Sequence, residues 1–169
     1  IGLLDKQFTG EYYFKKQNIA NLSDIDIAKI RNVNIGFVFQ SYNLLPEYTV
    51  AENILLPNLY SNNDIDHHYL DELLKTVNLL DKKHNYPKTL SGGQQQRAAI
   101  ARALIHKPQI IIADEPTDAL DSETSESILK LLSNLNKLGN TILLVTHDND
   151  IADYADKKYA LVDGKLNQL

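Results

Sequence analysis

The sequence predicts an α/β domain, a mainly parallel sheet flanked by helices, and three observations lead there. Short apolar runs, Asn34–Phe39, Gln109–Ala113 and Thr141–Val145, read as buried strands. Segments with helical spacing of apolar residues separate them, the alternation expected of a parallel sheet. The 169 residues, 43% hydrophobic and 23% charged, suit one globular domain with a core, and no repeat or low-complexity tract interrupts them.

The elements follow in order. Ile1–Asp5 reads as the tail of a helix, and Glu11–Phe14 alternates weakly enough for a short strand. Ser23 is placed to cap a helix running to about Arg31, with Ile25, Ile27 and Ile30 apolar. The strand Asn34–Phe39 then runs directly into Gln40. Thr49 and Glu52 have capping-box spacing ahead of Ile54, Leu55 and Leu56, and Pro57 limits that helix. A helix is expected from His67 to Leu80, a polar loop from Lys82 to Thr89, and a further helix from about Gln94 to Ile105, opened by Ser91 and a glycine pair. After the strand Gln109–Ala113, a helix from Ser122 to Leu138 stops at Gly139. Thr141–Val145 is again strand, Asp148–Ala155 a short helix, and Tyr159–Val162 a strand leading through Asp163-Gly164 into a last short one.

Composition removes several function classes. Seventeen basic against 22 acidic residues give a net charge of −5, and no basic run exists to grip a nucleic-acid backbone. There is no cysteine, hence no disulfide framework and no thiolate metal site. The longest apolar runs are far too short to span a membrane, and no secretory signal opens the chain, so any work at a membrane needs another subunit to span it. Methionine is absent even at position 1, and the chain reads as a fragment.

Chemistry concentrates where ligands collect in open α/β sheets, at the C-terminal ends of strands. Ile110-Ile111-Ile112-Ala113-Asp114-Glu115-Pro116 delivers two consecutive carboxylates there. Asp114 suits Mg²⁺, directly or through water, and Glu115 suits polarising a water for attack on a phosphate. A strand end dressed with solvated acids is the plainer alternative. Gln40 and His147 also fall at the C-terminal ends of strands. Leu90-Ser91-Gly92-Gly93-Gln94-Gln95-Gln96-Arg97 puts bare backbone N–H groups and a hydroxyl at a helix start, where an anion is favoured. Taken alone, an ordinary N-cap explains that segment better.

Together these segments resemble an ATP-binding cassette (ABC) nucleotide-binding domain. LSGGQQQR is similar to the family signature, IIIADEP to its Walker B segment, and Phe37-Val38-Phe39-Gln40 to its Q-loop. Thr117-Asp118-Ala119-Leu120-Asp121 stands where the D-loop lies, and Leu144-Val145-Thr146-His147-Asp148 resembles the switch-histidine segment. FVFQSYNLLPEYTVAENILLP resembles the branch of lipoprotein-releasing, macrolide-export and antimicrobial-peptide export systems.

The resemblance implies a P-loop NTPase-type core over 1–39 and 107–169, with an inserted helical subdomain over 40–106. It implies Mg²⁺ and ATP as cofactors, with Asp114 and Gln40 serving the metal and Glu115 and His147 catalytic. Ser91, Gly92, Gly93, Gln94, Gln40 and Asp121 would bind nucleotide. The partners implied are a second nucleotide-binding domain in a head-to-tail homodimer and a transmembrane permease, with no nucleic acid. The place implied is cytoplasmic, peripheral on the inner face of the membrane through that permease. Leu44, Leu45, Tyr48 and Val50 suit either a permease contact or the subdomain core.

Two departures stand out. None of the seven glycines forms G-x-x-x-x-G-K-[ST], so the phosphate-cradling P-loop is not in this sequence, and a chain without it is expected to be inactive in isolation. The core is thus read as truncated at its N-terminal side, by natural truncation, clipping or an incomplete gene model. Asp118 occupies a position where the branch usually has glycine or serine. Tyr12 and Tyr13 are expected in packing rather than adenine stacking. His67 and His68, beside Asp64 and Asp66, are assigned to a solvated helix start because adjacent helix positions do not face one metal. His84 and His106 receive no role.

Competing readings are a non-hydrolysing binding or regulatory module built on the signature half, and a DNA-repair or chromosome ATPase. The latter family members carry long coiled coils after the Q-loop, for which the 50 residues from Gln40 to Leu90 leave no room.

Overall fold

The computed structural model describes residues 1–5, 8–61 and 67–169, the side chain of His67 excepted; Asp64 and Asp66 lie outside the described residues. Three parallel strands form the central sheet: β3 (Ile35–Phe39), β4 (Ile110–Asp114) and β5 (Thr141–Val145), in that spatial order. Their register aligns Phe39 with Asp114 and Asp114 with Val145, so the three C-terminal ends are level. Two separate antiparallel hairpins complete the strands, β1 (Tyr13–Phe14) with β2 (Gln17–Asn18), and β6 (Tyr159–Val162) with β7 (Lys165–Gln168).

The helices are α1 (Asp24–Asn34), α2 (Val50–Leu55), α3 (His67–Thr76), α4 (Gly92–Leu104), α5 (Ser122–Lys137) and α6 (Asn149–Ala152). Among the described residues, 40–106 contains helices and turns but no strand. The starts are set by side chains standing in for missing backbone acceptors. Ser23 Oγ caps α1 through the Asp26 amide, and Thr49 with Glu52 forms the expected box at α2. At the far end of α5, Gly139 takes φ +100°, a left-handed stop.

One core lies between α2–α5 and one sheet face, with Val38, Ile111, Ala113, Ile100 and Ile128 wholly or nearly wholly buried. A second lies on the opposite sheet face, where Leu3, Ile19, Ile27 and Ile35 pack with Phe37, Ile110 and Ile112. The alternation of β3 supplies both: odd positions face α1 and even positions face α4. Gly36 permits the closest approach, since a Cβ there would collide with the carbonyl oxygen of Ala103 in α4.

Several expectations need correction. Ile1–Asp5 is irregular, with Leu3 at φ 57°, a left-handed value that a right-handed helix does not accommodate. The first strand shrinks to Tyr13–Phe14, and its partner β2 went unforeseen. Lys15 and Lys16 both take positive φ (49° and 67°), forming a tight turn without the glycine or asparagine that usually marks one. Tyr13 stays exposed on that hairpin, while Tyr12 packs against the second core and its hydroxyl donates to the Ile1 carbonyl at 2.9 Å. α3 ends at Thr76, four residues early, as the chain turns through Asn78 at φ 57°. α4 begins at Gly92, so the glycine pair is helical. α6 is half the expected length. β5 is an edge strand with Thr141 and Val145 exposed, not a fully buried one. Of the four apolar residues weighed for a permease contact, Val50 is core, Leu44 packs against the core, and Leu45 and Tyr48 are exposed.

Candidate active site at the sheet edge

The level ends of β3, β4 and β5 bring four of the singled-out residues to one edge. Gln40 follows β3, Asp114 ends β4, Glu115 follows it, and His147 lies two residues beyond β5. Three parallel strands in register are what convert these distant sequence positions into neighbours.

Glu115 is held through both its backbone and its side chain by the end of β5 and the residues after it. Its amide donates to the Val145 carbonyl at 2.9 Å, prolonging the β4–β5 ladder by one bond while its own φ is 44°. The left-handed turn swings the side chain out of the sheet direction. Its Oε1 accepts from the His147 backbone N–H at 2.9 Å and lies 2.7 Å from His147 Nδ1. A carboxylate only accepts, so Nδ1 carries the proton and Nε2 sits on the opposite side of the ring. Burial pushes the Glu115 carboxyl up, but hydrogen bonds from His147 and Thr146 outweigh it and keep it below the ordinary carboxylate value. The same hydrogen bond and the Glu115 charge raise the His147 imidazole.

The start of α4 lies beside the same loops. Ser91 Oγ accepts from the Gln94 amide at 3.3 Å, and Gln94 Oε1 accepts from the Ser91 amide at 3.0 Å, a reciprocal box. Gln94, expected to face nucleotide, has its side-chain oxygen turned onto its own helix. The S-x-x-Q spacing carried that signal in the sequence, as T-x-x-E did at Thr49. Helix geometry leaves the amides of Gly92 and Gly93 without intrahelical acceptors. Both glycines are also pressed by neighbours: a Cβ on Gly92 would come 2.9 Å from the Tyr42 hydroxyl, and one on Gly93 would strike the Thr124 methyl.

Asp121 caps α5, its two oxygens accepting from the Thr124 amide (2.9 Å) and hydroxyl (2.7 Å). Gln96, fully buried, donates through Nε2 to the Pro116 carbonyl at 2.5 Å and so ties α4 to the loop after β4. Arg102 grips the loop after β3, donating to the carbonyls of Tyr42 (2.7 Å) and Asn43 (2.5 Å), both in left-handed conformations. Neither Gln96 nor Arg102 was singled out from the sequence, because each acts through a backbone carbonyl that no motif announces.

The donor set at the edge is oxygen-rich, which suits a hard cation. Among the described residues, no three His, Cys, Asp or Glu side chains cluster as a complete metal cage. Mg²⁺ takes one or two protein oxygen ligands, such as a carboxylate and a carboxamide, and completes its shell with water and phosphate. The chemistry of the residues present therefore fits Mg²⁺ and a phosphate-bearing nucleotide.

Comparison with known proteins agrees. The ABC transporter family model matches residues 2–118. The chain is 45% identical over 168 residues to the macrolide export ATP-binding/permease protein MacB of Haemophilus ducreyi, covering 98% of this chain and 24% of that protein. It is 45% identical over 168 residues to the uncharacterized ABC transporter ATP-binding protein YvrO of Bacillus subtilis, covering 98% of this chain and 73% of that protein. The dimeric post-hydrolysis state of the ATP-binding cassette MJ0796, bound to ADP and Pi, superposes with a TM-score of 0.84 at 43% identity, covering 98% of this chain and 75% of that one. The chain thus spans about a quarter of the length of the macrolide export relatives it matches.

Proposed function

This chain belongs to the ABC transporter family, and we propose on that premise that it is part of the subunit that, in the complete transporter with its P-loop, hydrolyses ATP to drive a bacterial exporter of the macrolide, lipoprotein or antimicrobial-peptide type. Two copies would work head to tail on a transmembrane permease at the inner face of the membrane. The 45%-identical macrolide export relative and the dimeric cassette support that arrangement. Residues 40–106 would form the helical subdomain, inserted into an ATPase core made by 1–39 and 107–169.

The observation that carries the reading is the Glu115–His147 contact at the ends of adjoining parallel strands. Glu115, kept ionised by its hydrogen bonds, is ready to accept a proton from an attacking water. His147, with Nδ1 committed to Glu115, offers the other side of its ring to charge developing on a phosphate. Asp114 and Gln40 would hold Mg²⁺. The Ser91 hydroxyl and the Gly92 and Gly93 amides would grip phosphate from across the dimer, with Gln94 fixing the start of α4 that presents them and Asp121, at the nucleotide, fixing the start of α5 packed beside it. Bound Mg²⁺·ATP supplies the phosphoryl group and the cation that neutralises its charge.

The test is Glu115→Gln in the complete transporter. Turnover is expected to fall by about 100-fold or more while Mg²⁺·ATP binding persists. Unchanged turnover would remove Glu115 from the mechanism.

A further inference from the structure

Gln40 and Asp118 meet across the mouth of the sheet edge. Gln40 Nε2 donates to Asp118 Oδ2, a contact spanning 78 residues of sequence. Each side is fixed independently. The Gln40 loop is pinned by Arg102 through the carbonyls of Tyr42 and Asn43. The Asp118 turn is pinned by its own bonds: the Asp118 amide to Glu115 O at 3.4 Å, the Leu120 amide to Thr117 O at 3.0 Å, and the Ser125 hydroxyl to Thr117 O at 3.3 Å. The side-chain contact therefore joins two anchored loops rather than two mobile ones.

A carboxamide has two chemically opposite ends of nearly equal shape, and a carboxylate can only accept. Asp118 therefore selects one of the two orientations, with the NH₂ end toward itself and Oε1 turned away. That orientation matters because the oxygen alone can serve a hard cation. We propose that Asp118 is the positioning residue for Gln40, setting the carboxamide so that its oxygen, not its nitrogen, faces the metal side. Glycine or serine at this position has no carboxylate to impose that choice. The proposal rests on the reading of Gln40 as a metal-side residue.

Two measurements on the full protein separate the proposal from that reading. The first is the Gln40 side-chain NH₂ resonance in ¹⁵N-labelled protein without nucleotide. Wild type is expected to show one amide proton shifted and slowly exchanging. Asp118→Ser should return it to solvent-like values, and Asp118→Asn should give a mixture, since asparagine can accept or donate. Identical Gln40 resonances in all three proteins would overturn the proposal whatever the metal does. The second is Mn²⁺·ATP affinity, with Mn²⁺ as the probe. Asp118→Ser should weaken it by about threefold, in the range of one lost hydrogen bond, and Gln40→Ala by at least as much. If Gln40→Ala weakens binding and Asp118→Ser does not, Asp118 does not position Gln40. If Gln40→Ala changes nothing, the metal reading of Gln40 fails, and a shifted NH₂ resonance would still support the orienting contact.

Discussion

Glu115 and His147 move each other's proton affinity in opposite directions, and this gives their contact a pH window. The His147 value is raised, so its stabilising contribution is complete below the ordinary 6.5 and fades as pH rises through the raised value. The Glu115 value is lowered, so its contribution is complete above the ordinary 4.5 and fades as pH falls through the lowered value. The charged pair is intact between those limits. An NMR titration should place the His147 midpoint above 6.5 and bring it down in Glu115→Gln; a wild-type midpoint at or below 6.5 would contradict the contact. The acidic pair Asp114-Glu115 was legible as the end of an apolar run. Its partnership with His147 was not, because it depends on the β4–β5 register and on a left-handed Glu115, neither of which has a local sequence signal. The Gln40–Asp118 contact was hidden for the same reason: Asp118 was visible only as an unusual carboxylate, without a partner.

Among the elements, the best-read ones carry their own punctuation. Ser23, Thr49, Asp121 and Gly139 mark helix ends by chemistry that acts within three residues, and α1, α2 and α5 start or stop where those residues say. The poorly read ones lack it. The β1–β2 hairpin turns on two lysines, and α3 stops at a threonine where the apolar pattern continued to Leu80. The double box at Ser91 gives an expected magnitude: Ser91→Ala should cost about 1 kcal/mol of stability, as a lost N-cap does. Chemical denaturation of Ser91→Ala beside Thr49→Ala, at an equivalent box on α2, checks this. A cost near zero at Ser91 alone would mean that the Gln94 side chain satisfies the helix start without it.

Over the whole molecule, the fold class was legible from the alternation of apolar runs and helices, and the sheet order was not. Nothing in the apolar run Thr141–Val145 distinguishes an edge strand from a central one, and the structure places β5 at the edge with β4 between its neighbours. Hydrogen exchange should read this directly. Amides of β4 are expected among the slowest in the chain, and those of β5 that do not point at β4 among the faster ones of the sheet. Uniformly slow exchange along β5 would mean that its outer edge is covered. No helix among the described residues is long and apolar enough to cross a membrane. The bare contact of Gly36 with the Ala103 carbonyl acquires a mechanical meaning. Backbone meets backbone there, near one end of α4, so any tilt of the helix about that contact is carried along its length. Ser91 stands about 18 Å along the helix from Ala103. A tilt of about 10° around that contact swings the Ser91 hydroxyl by roughly 3 Å, the reach of one hydrogen bond.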